Sequence, residues 1–253
     1  MRGSSSEGII QGIHSVVSMS TNLTFPRLDC LPPDQRNLWP ELREVPDDFV
    51  LYGGTALALH LGHRQSEDFD FFSSEPFDPK RLLNSLNLLK GAEVEDLAEN
   101  TLSVVLRDSG IKMSFFGGLS PDVLSVFDAE YADNEISVAS VADVFGCKCS
   151  TVQKRATFKD YFDIWAVLEM TDYTLTDGLS FAAAIYGEQF APHLTLRALS
   201  YFDDLDKALP QEKKERILAA VQAVDPAELP PVQAKGPILP APPHGGKKGA
   251  HDE

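Results

Sequence analysis

Asp68 and Asp70 stand two residues apart in Glu67-Asp68-Phe69-Asp70-Phe71-Phe72, an aromatic run that reads as a strand. Side chains alternate along a strand. Both carboxylates therefore leave one face, roughly 7 Å apart at the backbone, while Phe69 and Phe71 take the other and can bury. Two converging carboxylates suit a hard cation such as Mg²⁺, with Mn²⁺ as a substitute, because such ions take oxygen ligands and complete their shell with water and substrate phosphate. Just upstream, the short strand Phe49-Val50-Leu51-Tyr52 runs into Gly53-Gly54-Thr55, a turn that opens a helix. Its backbone N–H groups and positive helix end are offered to phosphates. The D-x-D pair alone reads more readily as a pair of solvated aspartates on an exposed strand face. The glycine turn and the strand before it tip the balance to a metal–nucleotide site.

A second group of candidates lies far along the chain. On a helix starting at Ser140, Val141, Val144, Phe145 and Val152 make one apolar stripe, and Lys148 falls in the middle of it. An ammonium belongs there only if the face looks onto an anion or a wet cleft, or if the stem is buried and the amine snorkels to water. Arg155, Lys159 and Asp163 then step by four on a following helix whose buried face is Phe158, Tyr161, Phe162, Trp165 and Leu168. Lys159 and Asp163 read as a plain i,i+4 pair, whereas Asp163 is as well matched to a buried partner such as Lys148 or Arg155. Arg64 either braces a triphosphate or pairs with Glu67. His60 and His63 read as structural.

These side chains need a sheet and helices to hold them. The pattern gives helices over 32–45, 54–61 and 78–90, and strands over 49–52, 68–72, 102–107 and 111–116, with Asp108-Ser109-Gly110 as a turn. Ser140-Val141-Ala142-Asp143 has the form of a capping box. Helices follow over 158–170, 179–186, 195–202 and 211–224. The expected architecture is α+β, a mixed sheet with helices and then a helical region. Residues 1–24 are expected to be a disordered N-terminal segment, 25–135 the core, 136–224 mainly helical, and 225–253 a disordered Pro/Gly-rich tail.

Composition narrows the partners. The 253 residues suffice for a substantial core, and 43% hydrophobic with 24% charged describes a soluble globule. No apolar run approaches the roughly 20 residues of a membrane helix. The Ser/Gly-rich start lacks a signal peptide's charged and apolar regions, and Met19 would serve as a start as well as Met1. Cys30, Cys147 and Cys149 form no disulfide framework, which suits a reducing cytoplasm, and Cys147 and Cys149 lack further ligands for zinc. A net charge of −16 argues against broad, sequence-independent nucleic-acid binding but leaves room for a local basic groove or a nucleotide held through metal.

Taken together, Gly53-Gly54-Thr55, then His63-Arg64-x-Ser66-x-Asp68-x-Asp70-Phe71-Phe72, Val138-Ala139-Ser140 with Asp143 and Lys148, and Arg155 with Lys159-Asp160-Tyr161-x-Asp163-Ile164 resemble the AbiEii/AbiGii-type nucleotidyltransferase toxin family. Ala198-Leu199-x-Tyr201-Phe202-Asp203-Asp204 fits its later helices, and the resemblance spans about residues 45–207. It implies a polymerase-β-like nucleotidyltransferase core with a helical C-terminal half. It also implies Mg²⁺ and NTP as cofactor and substrate, a tRNA or other RNA acceptor, and an antitoxin from an adjacent gene. By position, Asp68 and Asp70 would bind the metal. Gly53, Gly54, Thr55, Arg64, Ser66 and Arg155 would lie at the nucleotide, Lys148 would hold phosphates, and Asp163 would act as base or orient Lys148. One position departs from the family. Ser114 stands in Ile111-Lys112-Met113-Ser114-Phe115-Phe116 where a third carboxylate is common, so that Asp163, Asp160 or Asp108 substitutes, a single metal is used, or nucleotide is bound without transfer. The competing expectations are a catalytically inactive binding module and a small-molecule transferase acting on an aminoglycoside-like hydroxyl.

Overall fold

A computed structural model describes residues 25–119, 123–238, 240 and 241. The expectation of a disordered start over 1–24 lies outside these. After a 3-10 turn over Leu28–Cys30, the described residues form α1 (Pro33–Leu38), whose first turn begins on a proline, and a 3-10 turn over Trp39–Glu44. The expected single helix over 32–45 is thus split, because Pro40 falls two residues after Leu38 and cannot donate into a continuing helix. Next come β1 (Val50–Tyr52), α2 (Gly53–Leu61) and β2 (Asp68–Phe72). They are followed by α3 (Pro79–Ser85), β3 (Glu93–Ala98), β4 (Thr101–Val105) and β5 (Lys112–Phe116). Asp78 caps α3 by accepting from Lys80 and Arg81 N–H, but α3 stops at Ser85, short of the expected Lys90. The short strands β6 (Leu124–Ser125), β7 (Glu130–Tyr131) and β8 (Ser137–Val138) lead into the helices.

Seven of these strands make one mixed sheet in the order β3-β4-β5-β2-β1-β8-β7. β2 lies antiparallel to β1 and parallel to β5, and β1 is parallel to β8. The alternation of β2 does what its sequence demands: Phe69 and Phe71 are fully buried, while Asp68 is exposed and Asp70 half-buried on the opposite face. Phe71 stacks on Phe115 with centroids 5.2 Å apart, and Phe49 meets Phe115 edge-on at 5.4 Å. These aromatic pairs hold β2 in register on β5.

The helical region comprises α4 (Val141–Thr151), α5 (Phe158–Met170), α6 (Leu175–Tyr186), α7 (Pro192–Leu199) and α8 (Gln211–Gln222). α2 packs against both α4 and α5, which ties the glycine turn to the helices bearing Lys148 and Asp163. Ser140 caps α4 by accepting from Asp143 N–H at 3.1 Å. The capping box is only half made. The Asp143 carboxylate turns instead to Val126 and Phe127 N–H at 2.6 and 3.1 Å, anchoring the loop before β7. The full box sits on α6, between Thr174 and Asp177.

The described part of the tail, up to Ala241, corrects another expectation, while residues 242–253 of it lie outside the described residues. Rather than being free from Asp225 onward, it docks as far as Ala241. β9 (Gly236–Pro237) pairs with β6, Ser74 Oγ donates to Ile238 C=O at 2.9 Å, and Ala241 N–H donates to Ser137 Oγ at 3.0 Å. Ile238 and Ala241 are buried, so two apolar side chains and a few backbone bonds fix a segment with no helical or strand periodicity to announce it.

Candidate active site

The site is built where β1 turns into α2. Gly53 sits at φ +71°, and a Cβ there would come within 2.9 Å of Asp70 Oδ2. Only glycine brings the backbone this close to the carboxylate. Tyr52 gives α2 no side-chain cap, and the first turn of α2 carries no acidic residue, so its amides and positive end are left to an external anion. Thr55 Oγ1 donates to the Asp68 carbonyl and lies 2.8 Å from Ser66 Oγ, which pins the segment leading into β2 to the helix start.

Arg64 closes the other side. Its Nε and Nη2 donate to Asp163 Oδ1 and Oδ2 at 2.6 and 2.9 Å, a bidentate clamp across 99 residues of chain. A Cβ on Gly54 would meet Arg64 Nη2 at 2.3 Å and Ser66 Oγ at 3.2 Å. A guanidinium is therefore pressed against the positive end of α2, an arrangement that favours an anion between or beside them. Gly54→Ala is expected to push Arg64 off Asp163 and lower turnover about a hundredfold with little change in fold. A rate measurement beside a thermal melt separates those two effects.

Asp163 is fully buried and takes three partners: Arg64, His63 Nε2 at 2.8 Å and Lys148 Nζ at 2.7 Å. Lys148 Nζ is equally close, at 2.7 Å, to Asp160 Oδ1. Asp160 in turn accepts from Arg155 Nε at 2.8 Å and from Thr157 Oγ1 at 2.6 Å. Two buried carboxylates thus stand among three cations, which leaves this cluster one positive charge over. Burial pushes the Asp163 carboxyl up, but Lys148, His63 and Arg64 outweigh it and hold it well below the ordinary range. Burial first and Asp68 second raise the Asp70 carboxyl, against the pull of Lys148, Lys112 and Arg155.

Several sequence expectations change here. The Lys148 amine does not snorkel, since its side chain is 9% exposed and the ammonium lies between two aspartates. Lys159 pairs with Glu67 at 3.4 Å rather than with Asp163, whose carboxylate is drawn inward. Arg64 consequently leaves Glu67 aside. Arg155 precedes α5 and does not share a helical face with Asp163. His60 Nε2 donates to Ala139 C=O, 2.9 Å away, and the ring stacks on Phe25, a structural role. His63, read as structural, lies on Asp163 inside the cluster. Asp160 as the anchor of Lys148 and Arg155 had one legible signal, its position three residues from the capping Thr157.

Gly53 lies against Asp70 and Gly54 against Arg64 and Ser66, Thr55 bonds Ser66 and the Asp68 carbonyl, and Arg64 carries the connection on to Asp163 and through it to Lys148, while Lys148 and Arg155 act electrostatically on Asp70. Ser114 lies directly beside Asp70 in register, and Ser103 Oγ donates to its hydroxyl at 3.2 Å. Asp160 and Asp163 are taken up by cations, and Asp108 lies in the exposed turn between β4 and β5. Among the described residues no three His, Cys, Asp or Glu side chains converge to hold a metal. The donor set nonetheless fits a hard dication. Two like-charged carboxylates, one of them raised by burial and by its neighbour, are relieved by a cation that fills its other positions with water and phosphate.

Comparison with known proteins assigns the chain to a family. Residues 41–235 match the family model described as "Nucleotidyl transferase AbiEii toxin, Type IV TA system". An uncharacterized protein of Aquifex aeolicus is 30% identical over 162 residues, covering 63% of this chain and 76% of the relative. MenT4, a nucleotidyltransferase toxin of Mycobacterium tuberculosis, is similar in structure with a TM-score of 0.49 at 15% identity, over 76% of this chain and 84% of that one. JHP933 of Helicobacter pylori gives a TM-score of 0.47 at 16% identity, over 74% and 87%. With more than three-quarters of its length matched, the chain belongs to the AbiEii nucleotidyltransferase toxin family.

Proposed function

We infer that this chain transfers a nucleoside monophosphate from an NTP to an acceptor hydroxyl, an RNA end (a tRNA end included) being the favoured acceptor, as the toxin of a toxin–antitoxin pair working in the cytoplasm. The observation that carries the reading is the pairing of Asp68 and Asp70 with the open, glycine-bearing start of α2, under a cluster that is one positive charge over. Among the described residues no helix is long and apolar enough to cross a membrane.

Asp68 and Asp70 would hold Mg²⁺, which when bound supplies charge neutralisation of the triphosphate. The α2 amides and Arg64 bind phosphate oxygens and fix their direction. Lys148 spends two of its three donors on Asp160 and Asp163, which leaves one N–H for a phosphate oxygen. Asp163 acts as a positioning residue, aiming Arg64 and Lys148 together. Catalysis in such a site is placement and fixed charge rather than covalent chemistry.

A binding-only reading has one observation in its favour. The Ser103–Ser114 pair occupies the strand position beside Asp70, and both nearby buried aspartates are engaged. Incubation with each α-labelled NTP, Mg²⁺ and either total RNA or aminoglycosides decides between them. Label is expected on RNA, lost on chelation and in Asp68→Asn. NTP binding without label on any acceptor would overturn the transfer reading, and label on aminoglycosides alone would replace its acceptor.

A further inference from the structure

A groove of about 740 Å³ runs between the end of α4 and α7, outside the carboxylate pair. Its walls carry Lys154, Arg155 and Arg197 against one carboxylate, Asp204, with Leu194 and Tyr201 at the rim. Tyr201 is 52% exposed and Leu194 39%, an aromatic and an aliphatic side chain left facing water beside cations. A local excess of positive charge is unexpected in a chain of net charge −16. Arg155 belongs to two places at once. It bonds Asp160 through Nε and Nη2, yet its side chain is 61% exposed, and its charge bears on Asp70. Arg155 is thus shared between the groove wall and the buried cluster of Asp160, Lys148 and Asp163.

We propose that this groove docks the single-stranded end of the acceptor polynucleotide, with Arg197, Lys154 and Arg155 along its phosphates and Tyr201 stacked on a base, so that the terminal hydroxyl is led toward Asp70. The proposal rests on the transfer reading above and adds the acceptor's form and seat. Aromatic platforms flanked by cations hold single strands because every base has a stacking face. A duplex needs charge spread over a broad surface, and the remaining acidic surface repels one. A short unpaired end asks only for the few cations the groove holds. Gly54 and Arg64 are not among the residues lining the groove, so phosphates of the NTP and of the acceptor strand need not compete.

The test uses the full chain with Arg197→Glu and Tyr201→Ala, two exposed positions that leave the buried cluster untouched. Binding of a short unstructured RNA oligonucleotide is followed by fluorescence anisotropy across a salt series, beside NTP affinity. Each variant is expected to weaken oligonucleotide binding about tenfold or more, and Arg197→Glu to lower the salt slope by about one, with NTP affinity unchanged. Wild-type oligonucleotide binding in both variants would overturn the proposal. So would an equal loss of NTP affinity, which would make the groove the nucleotide's own, or tight binding of a polyglutamate peptide with none of RNA. Labelling of RNA that persists at the wild-type rate in both variants removes the groove and leaves the transfer reading standing. Groove-dependent RNA binding with no NTP turnover does the reverse.

Discussion

Asp163→Ala is expected to abolish transfer and to lower the melting temperature by about 10 °C or more. The side chain removed is fully buried and answers three groups, so Arg64 loses its bidentate partner, His63 its Nε2 contact and Lys148 one of two carboxylates. Taking one partner from a buried ion cluster costs roughly 3–5 kcal/mol, because the charges left behind stay out of water. In a chain of this size each kcal/mol moves the midpoint by about 2–4 °C. Lys148→Ala should cost less, since Asp163 keeps Arg64 and His63, and Asp160 keeps Arg155. The pH dependence gives a second readout. The Asp163 carboxyl is held below its ordinary range in the folded protein, so its stabilisation is complete above the unfolded value of 3.8 and fades as pH falls below it. Asp163→Asn keeps the shape and loses that charge. Its stability at neutral pH should drop, and its acid-side loss should be shallower than that of the wild type. Equal melting temperatures at pH 7, or identical acid limbs, would show that the cluster is not held by this carboxylate.

The parts of this site that share a strand or a turn were legible in the chain. Asp68 and Asp70 face one way because a strand repeats every two residues, and Gly53-Gly54 marks where backbone must approach something closely. Lys148 betrayed itself as an ammonium in an apolar stripe. What the sequence could not give was the identity of its counter-charges. Arg64 meets Asp163 across 99 residues, and nothing in either neighbourhood chooses Asp163 over Glu67, which lies three residues from Arg64. That choice is made by α2 packing on α5, a tertiary fact. β3 escaped for a different reason. Glu93-Val94-Glu95-Asp96-Leu97-Ala98 is exposed at every position on the edge of the sheet, so no buried face imposes alternation on it. The docked tail was invisible because its order comes from β6, Ser74 and Ser137, not from its own residues.

Asp70→Asn should remove activity while making the protein more stable, a pair of effects that separates a functional carboxylate from a structural one. The loss in turnover is expected to reach about a thousandfold, since a metal-held phosphate is worth several kcal/mol in the transition state and each 1.36 kcal/mol is a factor of ten. The gain in stability follows from the sign of the shift. Burial and Asp68 raise the Asp70 carboxyl in the folded state, so folding is favoured while it is protonated and that advantage is lost as pH rises from 3.8 through the raised value. Burial and repulsion from the neighbouring Asp68 disfavour the charged form of Asp70 in the folded protein, and the neutral amide removes both penalties. The melting temperature of Asp70→Asn should therefore exceed that of the wild type at pH 7 and converge with it below about pH 4. Mg²⁺ supplies the control that ties the strain to function. A dication between Asp68 and Asp70 relieves the same repulsion, so Mg²⁺ should raise the melting temperature of the wild type and leave Asp70→Asn nearly unmoved. A variant less stable than the wild type, or an equal Mg²⁺ shift in both, would mean that these two carboxylates are not the cation's seat.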